Sequence, residues 1–334
     1  MRTAVLGSGG WGTALALLLL ENGNQTALWS YRPERTEELR ERRVNPRLAG
    51  VVLPGELELT SGLEALVGCG LVVMAVPSFA VRKTARLAAP FLGPETVVVS
   101  AAKGIEQDTA LRMTEIIEQE IKGRCRVAAL SGPSHAEEVG RRIPTGCVAA
   151  ANDPETAELV QDLFMNARFR VYTNNDVLGV ELGGALKNVL ALACGVCEGL
   201  GAGDNAKALL MTRGMTETAR LGVALGGRKE TFAGLSGIGD LIVTCTSMHS
   251  RNRRCGILIG QGRDVREAMR DVGATVEGYY AALSAHQLAI KAGVEMPICQ
   301  CAYRVLYEGL DVQEVAEQLM TRTKKREVDE SWIS

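Results

Sequence analysis

The chain has 334 residues, enough for about two domains, and 46% of them are hydrophobic and 23% charged. This composition is typical of a folded globular protein and excludes a largely disordered one. The 37 basic and 39 acidic residues nearly cancel and only 4% of residues are aromatic, so we expect neither a nucleic-acid-binding surface nor a base-stacking platform.

The N-terminal segment predicts a strand, a glycine-rich turn, a helix and a second strand. These elements are Thr3–Leu6, Gly7–Gly12, Thr13–Leu20 and Gln25–Ser30, in that order. A turn that leads directly from a buried strand into a helix lies at the helix's free N–H groups and partial positive charge. The arrangement therefore predicts a site for a phosphate group.

Three glycines give the turn the form Gly-x-Gly-x-x-Gly. Gly7 permits the tight turn, Gly9 lets a pyrophosphate approach the backbone, and Gly12 lets the helix pack closely on the strand. Because the motif lies between a predicted strand and a predicted helix, we predict dinucleotide binding rather than a glycine-rich turn without a ligand. Gly10 and Trp11, which lie within the motif, are included in the predicted cofactor site.

The end of the second strand bears on the choice of cofactor. Folds specific for NAD place Asp or Glu there, where the carboxylate binds the ribose 2′-hydroxyl. Here the strand leads into Tyr31 and Arg32, and the first acid is Glu34. Arg32 can meet the 2′-phosphate of NADPH, although a solvated surface arginine is the alternative interpretation. We therefore predict NADPH as the preferred cofactor, with NADH as the alternative.

Strands and helices continue to alternate as far as about residue 178. The predicted elements are strands Gly70–Val76, Thr96–Ser100, Val127–Leu130, Thr145–Ala150 and Phe169–Tyr172, and helices Ser78–Leu92 and Asp108–Ile121. This rhythm predicts an α/β fold whose N-terminal half is a Rossmann-type doubly wound, mostly parallel sheet. Ligands of such sheets lie beyond the carboxyl ends of the strands, where the loops at Pro77, Lys103 and Gly132–Ser134 fall.

Only helices are predicted beyond residue 178. They are Val180–Gly199, Asn205–Leu225, Arg253–Gly260, Val265–Arg270, Glu277–Ala292, Pro297–Leu306 and Val312–Met320. We predict a dinucleotide-binding domain over residues 1–180 and an all-helical substrate-binding and catalytic domain over residues 181–334, with the site between them. Apolar runs such as Ala14–Leu20 are far shorter than the ~20 residues of a membrane span, so no stable membrane insertion is expected.

The cysteines and histidines point away from metal and disulfide chemistry. Cys194-x-x-Cys197 and Cys299-x-Cys301 lie in predicted helices, without a second pair at zinc spacing. We interpret them as core thiols rather than as redox pairs, which indicates a reducing compartment and a cytoplasmic protein. The three histidines are far apart in sequence, and no metal site is predicted.

Six motifs, matching in order and spacing, carry a family resemblance that covers nearly the whole chain. They are Gly7–Ala14, Ala102–Glu106, Ser131–Ala136, Glu181–Val189, Gly237–Leu241 and Ser250–Arg253. With these motifs the chain resembles the bacterial NAD(P)-dependent glycerol-3-phosphate dehydrogenases. The resemblance implies reversible reduction of dihydroxyacetone phosphate to sn-glycerol 3-phosphate, a supply of glycerophospholipid precursors, and a homodimer. Another two-domain β-hydroxyacid dehydrogenase and a non-catalytic nicotinamide-binding sensor are the alternatives.

Lys187 is the candidate acid–base residue. Reduction of a ketone puts negative charge on the carbonyl oxygen, so a cationic or acidic group must stabilise that oxygen and deliver a proton. Histidine is scarce, and Lys187 lies among small and apolar residues of a predicted helix, where burial would lower its pKa. The alternative is a lysine that reaches the surface. The family's catalytic lysine matches Lys187, which is also assigned to substrate binding.

The resemblance assigns further contacts in both halves. Those to the substrate are Lys103, Gly132, Ser134, Asp240, Ser250, Arg251 and Asn252. Those to the cofactor, beyond the glycine turn and Arg32, are Lys103, Ala136, Arg251 and Glu277. The run from Ser250 to Asn252 also suits a phosphate on chemical grounds, because it offers a hydroxyl, a guanidinium fork and an amide near a helix start.

Plainer interpretations exist for several of these residues. An Asp that follows a glycine loop, as Asp240 does, is often a helix cap, and Glu277 is placed like an ordinary helix-start carboxylate. His135 and His249 border the substrate loops and are expected to act at most through their neighbours. At Gly10 the family usually has Ser or Ala, so one side-chain contact to the pyrophosphate is expected to be lost.

Overall fold

The computed structural model describes residues 1–327, and one eight-stranded sheet forms the first half of the molecule. Its strands are β1 (Arg2–Leu6), β2 (Gln25–Trp29), β3 (Glu58–Thr60), β4 (Leu71–Met74), β5 (Val97–Ser100), β6 (Arg126–Ser131), β7 (Thr145–Ala151) and β8 (Phe169–Asn174). The order is β3-β2-β1-β4-β5-β6-β7-β8, and every neighbouring pair is parallel except β6 and β7. The predicted doubly wound, mostly parallel sheet is confirmed.

Six helices accompany the strands, and nine follow them in the described part of the chain. The first group is α1 (Gly10–Glu21), α2 (Pro33–Arg42), α3 (Val81–Ala88), α4 (Met113–Ile121), α5 (Ala136–Gly140) and α6 (Pro154–Phe164). The second is α7 (Val177–Gly199), α8 (Asp204–Ala224), α9 (Lys229–Phe232), α10 (Asp240–Thr246), α11 (Arg251–Gly260), α12 (Val265–Val272), α13 (Glu277–Ala292), α14 (Pro297–Tyr303) and α15 (Val312–Met320).

Two predicted helices are shorter in the structure than the sequence suggested. The predicted helix Asp108–Ile121 begins only at Met113, because Asp108 and Ala110 have positive φ angles of 67° and 60°, outside the right-handed helical region. The predicted helix Ser78–Leu92 keeps its α-helical geometry only over α3. Tighter 3-10 turns flank it on both sides, and the second of them contains a proline.

The sheet half has a separate apolar core on each face. Val5 of β1 packs in the core that contains α1, whereas its neighbours Ala4 and Leu6 pack in the core that contains α3 and α4. This alternation follows from the two-residue period of a strand. Both faces of β1 are therefore covered, as expected for a central parallel strand.

Helix α7 forms the centre of the helical half. It is the one helix among the described residues that is long and apolar enough to cross a membrane, and 83% of its apolar window is buried inside the protein. Its neighbours include α8, α10, α11 and α13. Such burial on all sides is typical of a core helix, which is apolar around its whole circumference.

Glycines on both helices allow α7 and α11 to cross at close range. Gly195 and Gly199 lie on α7, and Gly256 and Gly260 lie on α11. A Cβ added at Gly256 would lie 2.1 Å from the carbonyl oxygen of Leu192, and at the other three positions 2.2 to 2.3 Å from the facing backbone. The two backbones approach so closely that only glycine fits at these four positions.

We expect Gly256→Ala to reduce the free energy of unfolding by about 1–3 kcal/mol, because the added methyl group must push α11 away from α7. Urea denaturation followed by circular dichroism measures the change. Gly55→Ala is the matched control, because a Cβ there meets nothing within 4 Å. Equal stability of the two variants would contradict the close-contact interpretation.

Candidate active site

The glycine turn leaves an open cradle at the start of α1. Gly7 has a φ of 119°, and a Cβ there would lie 2.6 Å from the carbonyl oxygen of Ala75. A Cβ at Gly12 would lie 1.9 Å from the oxygen of Gly7, whereas one at Gly9 would meet nothing within 4 Å. The fold itself therefore requires Gly7 and Gly12, and Gly9 faces free space beside the helix N-terminus. These features fit the pyrophosphate of a dinucleotide.

Gly10 and Ala136 lie side by side at this turn. A Cβ at Gly10 would be 3.5 Å from the Cβ of Ala136 and only 2.5 Å from the backbone oxygen of Arg47. The close carbonyl of Arg47 gives a physical reason for glycine where the family usually has Ser or Ala. The indole N–H of Trp11 is buried and has no hydrogen-bond partner among the described residues.

A buried carboxylate lies at the centre of the site. The side chain of Asp240 is 1% exposed, and one of its oxygens accepts a hydrogen bond from Lys187. The other accepts from Lys103 at 2.7 Å. Lys103 also donates to the backbone oxygen of Gly132 at 2.9 Å and to the hydroxyl of Ser134 at 3.3 Å. The structure thus brings together five residues that the sequence analysis assigned to the substrate.

Burial changes the acidity of Lys187. The residue is 6% exposed, and desolvation lowers its pKa to about 7. The positive charge of Lys103 lowers this pKa as well, whereas the negative charge of Asp240 raises it. The expectation of a desolvated lysine is confirmed, and Asp240 is the first residue of α10 rather than its cap, which is Gly239.

Thr244 is a site residue that the sequence analysis missed. Its hydroxyl accepts a hydrogen bond from Lys187 at 2.7 Å and donates one to the backbone oxygen of Asp240 at 2.6 Å. The available signal was the spacing of four residues between Asp240 and Thr244, which places both on one face of a helix. Thr244 therefore fixes the direction in which the Lys187 ammonium points.

A pair of asparagines joins α7 to α11 one residue beyond Lys187. The side-chain amide of Asn252 donates to the side-chain oxygen of Asn188 at 2.8 Å. The oxygen of Asn252 accepts from the backbone N–H of Gly278 at 2.9 Å. Asn252 is thus held between α7 and α13, which leaves one of its amide hydrogens for a ligand.

Ser250 and Arg251 open α11. The hydroxyl of Ser250 accepts from the backbone N–H of Arg253 at 3.2 Å and so caps the helix. Arg251 follows it as the first helical residue, is exposed, and forms no ion pair within residues 1–327. A free guanidinium at a helix N-terminus is suited to a phosphate.

Glu277 connects the two halves of the molecule. It is the first residue of α13, and its carboxylate accepts from the backbone N–H of Ser78 at 3.2 Å and from the Ser78 hydroxyl at 2.6 Å. Burial raises the pKa of this carboxyl group. Glu277 thus joins α13 to Ser78 of the sheet half, which an ordinary helix-start carboxylate would not do.

The remaining candidates lie at the edges of the site. Arg32 is exposed at the start of α2, and its side chain makes no hydrogen bond in the described part of the chain. The rings of His135 and His249 are 5.6 Å apart, and His135 lies 3.4 Å from the backbone oxygen of Val243. Among residues 1–327 no cluster of His, Cys, Asp and Glu could hold a metal ion.

Known proteins match nearly the whole chain. Residues 2–157 and 176–317 match the family described as NAD-dependent glycerol-3-phosphate dehydrogenase, N-terminus and C-terminus respectively. A glycerol-3-phosphate dehydrogenase (NAD(P)+) of Moorella thermoacetica is 57% identical over 98% of this chain and 97% of its own. That of Fusobacterium nucleatum is 49% identical over 99% of this chain and 100% of its own.

A solved structure is similar to the whole chain. The glycerol-3-phosphate dehydrogenase of Coxiella burnetii superimposes with a TM-score of 0.92 at 39% identity, covering 96% of this chain and 99% of that one. The ternary structure of D-mandelate dehydrogenase with NADH and anilino(oxo)acetate has a TM-score of 0.63 at 14% identity, with coverage of 96% and 100%, and shares the fold alone.

The charges around Lys187 give a direct test of the site. We expect Asp240→Asn to lower the pKa of Lys187 below its value of about 7, because the carboxylate favours the charged ammonium. Lys103→Met should raise it, because one repelling charge is lost. An NMR titration of isotope-labelled lysine side chains, assigned with Lys187→Met, measures both shifts. A pKa that moves in the same direction in both variants would contradict the proposed balance of charges.

Proposed function

Because the chain belongs to the NAD-dependent glycerol-3-phosphate dehydrogenase family, we propose that Lys187 is the acid–base residue of an enzyme that reduces dihydroxyacetone phosphate to sn-glycerol 3-phosphate. The observation that carries this assignment is the buried Lys187 ammonium, hydrogen-bonded to Asp240 and Thr244 and with a pKa lowered to about 7. The reaction is reversible and uses NADPH or NADH. A non-catalytic sensor would have no need of such a residue.

The proposed mechanism moves one proton at Lys187. When bound, the nicotinamide supplies the hydride to the substrate carbonyl carbon. As the C–O double bond opens, the Lys187 ammonium donates a proton to the carbonyl oxygen, and the Lys103 charge stabilises that oxygen until the proton arrives. Neutral Lys187 then regains a proton from water. In the reverse direction neutral Lys187 accepts the hydroxyl proton, for which a pKa near 7 is equally suitable.

The phosphate of the substrate has a separate proposed site at the start of α11. Arg251 supplies the charge and the guanidinium fork, and Asn252 supplies its remaining amide hydrogen. The Ser250 hydroxyl can donate to a phosphate oxygen while it accepts the capping hydrogen bond from the backbone. Gly132 and Ser134, next to Lys103, face the three-carbon part of the substrate in this proposal.

The cofactor is proposed to lie across the glycine turn. The free N–H groups at the start of α1 bind the pyrophosphate, Gly9 provides the open approach, and Ala136 borders the same space. Arg32 binds the 2′-phosphate of NADPH. The carboxylate of Glu277 and the guanidinium of Arg251 are proposed to border the cofactor from the helical half.

The wider assignments rest on the resemblance to the family. We propose that residues 1–180 bind the dinucleotide and residues 181–334 bind the substrate, and that the enzyme acts in the cytoplasm as a homodimer. Its ligands are small phosphorylated molecules, and a few local cations such as Arg251 suffice to bind one phosphate. Neither a nucleic acid nor a lipid bilayer is a proposed partner.

Removal of the acid–base group tests the function. We expect Lys187→Met to lower kcat for NADPH oxidation with dihydroxyacetone phosphate by roughly 10²–10⁴-fold, the usual contribution of a positioned acid–base residue. The NADPH dissociation constant, followed by cofactor fluorescence, should change little. Lys291→Met, which alters an exposed lysine at the far end of α13, is the matched control. A Lys187→Met enzyme that keeps most of its kcat would remove the assignment.

The pH dependence of the two directions should be opposite. Reduction requires protonated Lys187, so its rate should fall as the pH rises through about 7, whereas the rate of oxidation should rise there. Lys103→Met removes a charge that lowers the Lys187 pKa. The fall in the reduction rate and the rise in the oxidation rate should therefore both occur at higher pH in the residual activity of this variant. Initial rates in both directions between pH ~5 and ~10 measure these two pH dependences. Profiles of the same slope in both directions would exclude Lys187 as the titrating group.

A further inference from the structure

A lysine at the start of a helix and a tyrosine in a loop meet beside the glycine turn. Tyr31 follows β2, and Lys83 lies in the first turn of α3, which follows β4. The Lys83 ammonium donates to the Tyr31 hydroxyl at 2.8 Å and lies 4.8 Å from the centre of its ring. The ring of Tyr31 packs edge-on against Trp29, with ring centres 6.1 Å apart.

This contact lies at the edge of the sheet where the cofactor is proposed to bind. The backbone N–H of Gly7 donates to the oxygen of Trp29 at 3.0 Å, so the glycine turn begins directly beside the end of β2. On the other side of β1, the N–H of Ala75 donates to the oxygen of Leu6 at 2.9 Å. Tyr31 and Lys83 therefore follow the two strands that flank β1, one on each side of the turn.

Lys83 differs from the other cations of its helix. Arg82 pairs with Glu106 at 2.6 Å and with Glu120 at 2.8 Å, and Arg86 pairs with Glu120 at 2.8 Å. Lys83 is exposed and has no carboxylate partner in the described part of the chain. Its charge is thus available to a ligand, and its hydrogen bond to Tyr31 uses only one of its three N–H groups.

The loop after β2 supplies a second available cation. Arg32 is exposed and makes no side-chain hydrogen bond within residues 1–327. Glu34, the first acidic residue after β2, lies in the first turn of α2 and not at the end of the strand. A group that carries two negative charges would find two cations and a phenol hydroxyl at this position. A ribose hydroxyl would find no carboxylate at the end of the strand.

We propose that Lys83 and Tyr31, together with Arg32, form the recognition site for the 2′-phosphate of the cofactor. The inference rests on the proposed use of NADPH and assigns two further residues to it. Lys83 binds the phosphate as a point charge with its free N–H groups, and Arg32 binds it through its guanidinium fork. Tyr31 holds the Lys83 ammonium in place and donates its own hydroxyl hydrogen to a phosphate oxygen.

Binding of nucleotide fragments to the full-length enzyme tests the inference without turnover. The two probes are 2′,5′-ADP, which carries the 2′-phosphate, and 5′-ADP, which lacks it, each titrated by calorimetry. We expect Lys83→Met to weaken the binding of 2′,5′-ADP by about tenfold, which corresponds to the loss of one exposed charge-assisted hydrogen bond. Affinity for 5′-ADP should change by less than about twofold. Tyr31→Phe should have a smaller effect in the same direction, and Lys83→Arg should restore most of the affinity.

Three outcomes separate this inference from the proposal on which it rests. The inference is supported if Lys83→Met loses affinity for 2′,5′-ADP alone and Lys291→Met binds both probes as the wild-type enzyme does. A wild-type enzyme that prefers 2′,5′-ADP but is insensitive to Lys83→Met overturns it and leaves the proposed NADPH preference intact. A wild-type enzyme that binds both probes equally overturns the preference itself, and this inference with it.

A second measurement tests the contact itself. Lys83 lowers the pKa of the Tyr31 hydroxyl through its hydrogen bond and its charge. An ultraviolet absorbance titration should therefore show one tyrosine that ionises at higher pH in Lys83→Met than in the wild-type enzyme. Identical titration curves would show that the two side chains do not meet in solution and would overturn the proposed site.

Discussion

The buried carboxylate of Asp240 is the interaction on which the rest of the site depends. A carboxylate that is 1% exposed costs several kcal/mol unless cations and hydrogen bonds compensate it. Its two partners come from opposite halves of the molecule, because Lys103 follows a strand of the sheet and Lys187 lies on the central helix α7. The ion pairs are complete only when the two halves meet. The junction of the halves and the chemical centre are therefore stabilised by the same three side chains.

The glycine crossing of α7 and α11 extends this arrangement to the proposed phosphate site. Close contact of the two backbones at Gly195 and Gly256 sets the register of the helices. That register brings Asn188, the neighbour of Lys187, to 2.8 Å from Asn252. The distance between the proposed proton donor and the proposed phosphate-binding residues is thus determined by close-packed backbone contacts. Gly195, Gly199, Gly256 and Gly260 thus serve helix packing, whereas Gly7 and Gly12 allow the tight turn at the start of α1.

Local patterns allowed the glycine turn, the alternating elements and the burial of Lys187 to be predicted, because each depends on residues close in sequence. Helix α2 was missed because only Thr36 and Leu39 of its ten residues are buried, so it has no continuous apolar stripe. Strand β3 has three residues, too few to show a period. The contact of Lys83 with Tyr31 joins residues 52 positions apart and depends on how the start of α3 meets the loop after β2, which no local pattern records.

In the proposed mechanism, charge balance explains how the site binds an anion and still releases the product. With both lysines protonated, the cluster of Lys103, Lys187 and Asp240 carries one net positive charge, which attracts a phosphorylated substrate in a region of low dielectric. Once Lys187 has given up its proton, the cluster is neutral. The substrate phosphate keeps its charge throughout, so this attraction weakens when the proton is transferred and returns when Lys187 regains a proton from water. A lysine whose pKa lies near 7 makes both states accessible at neutral pH. A lysine with an ordinary pKa would favour the binding state alone.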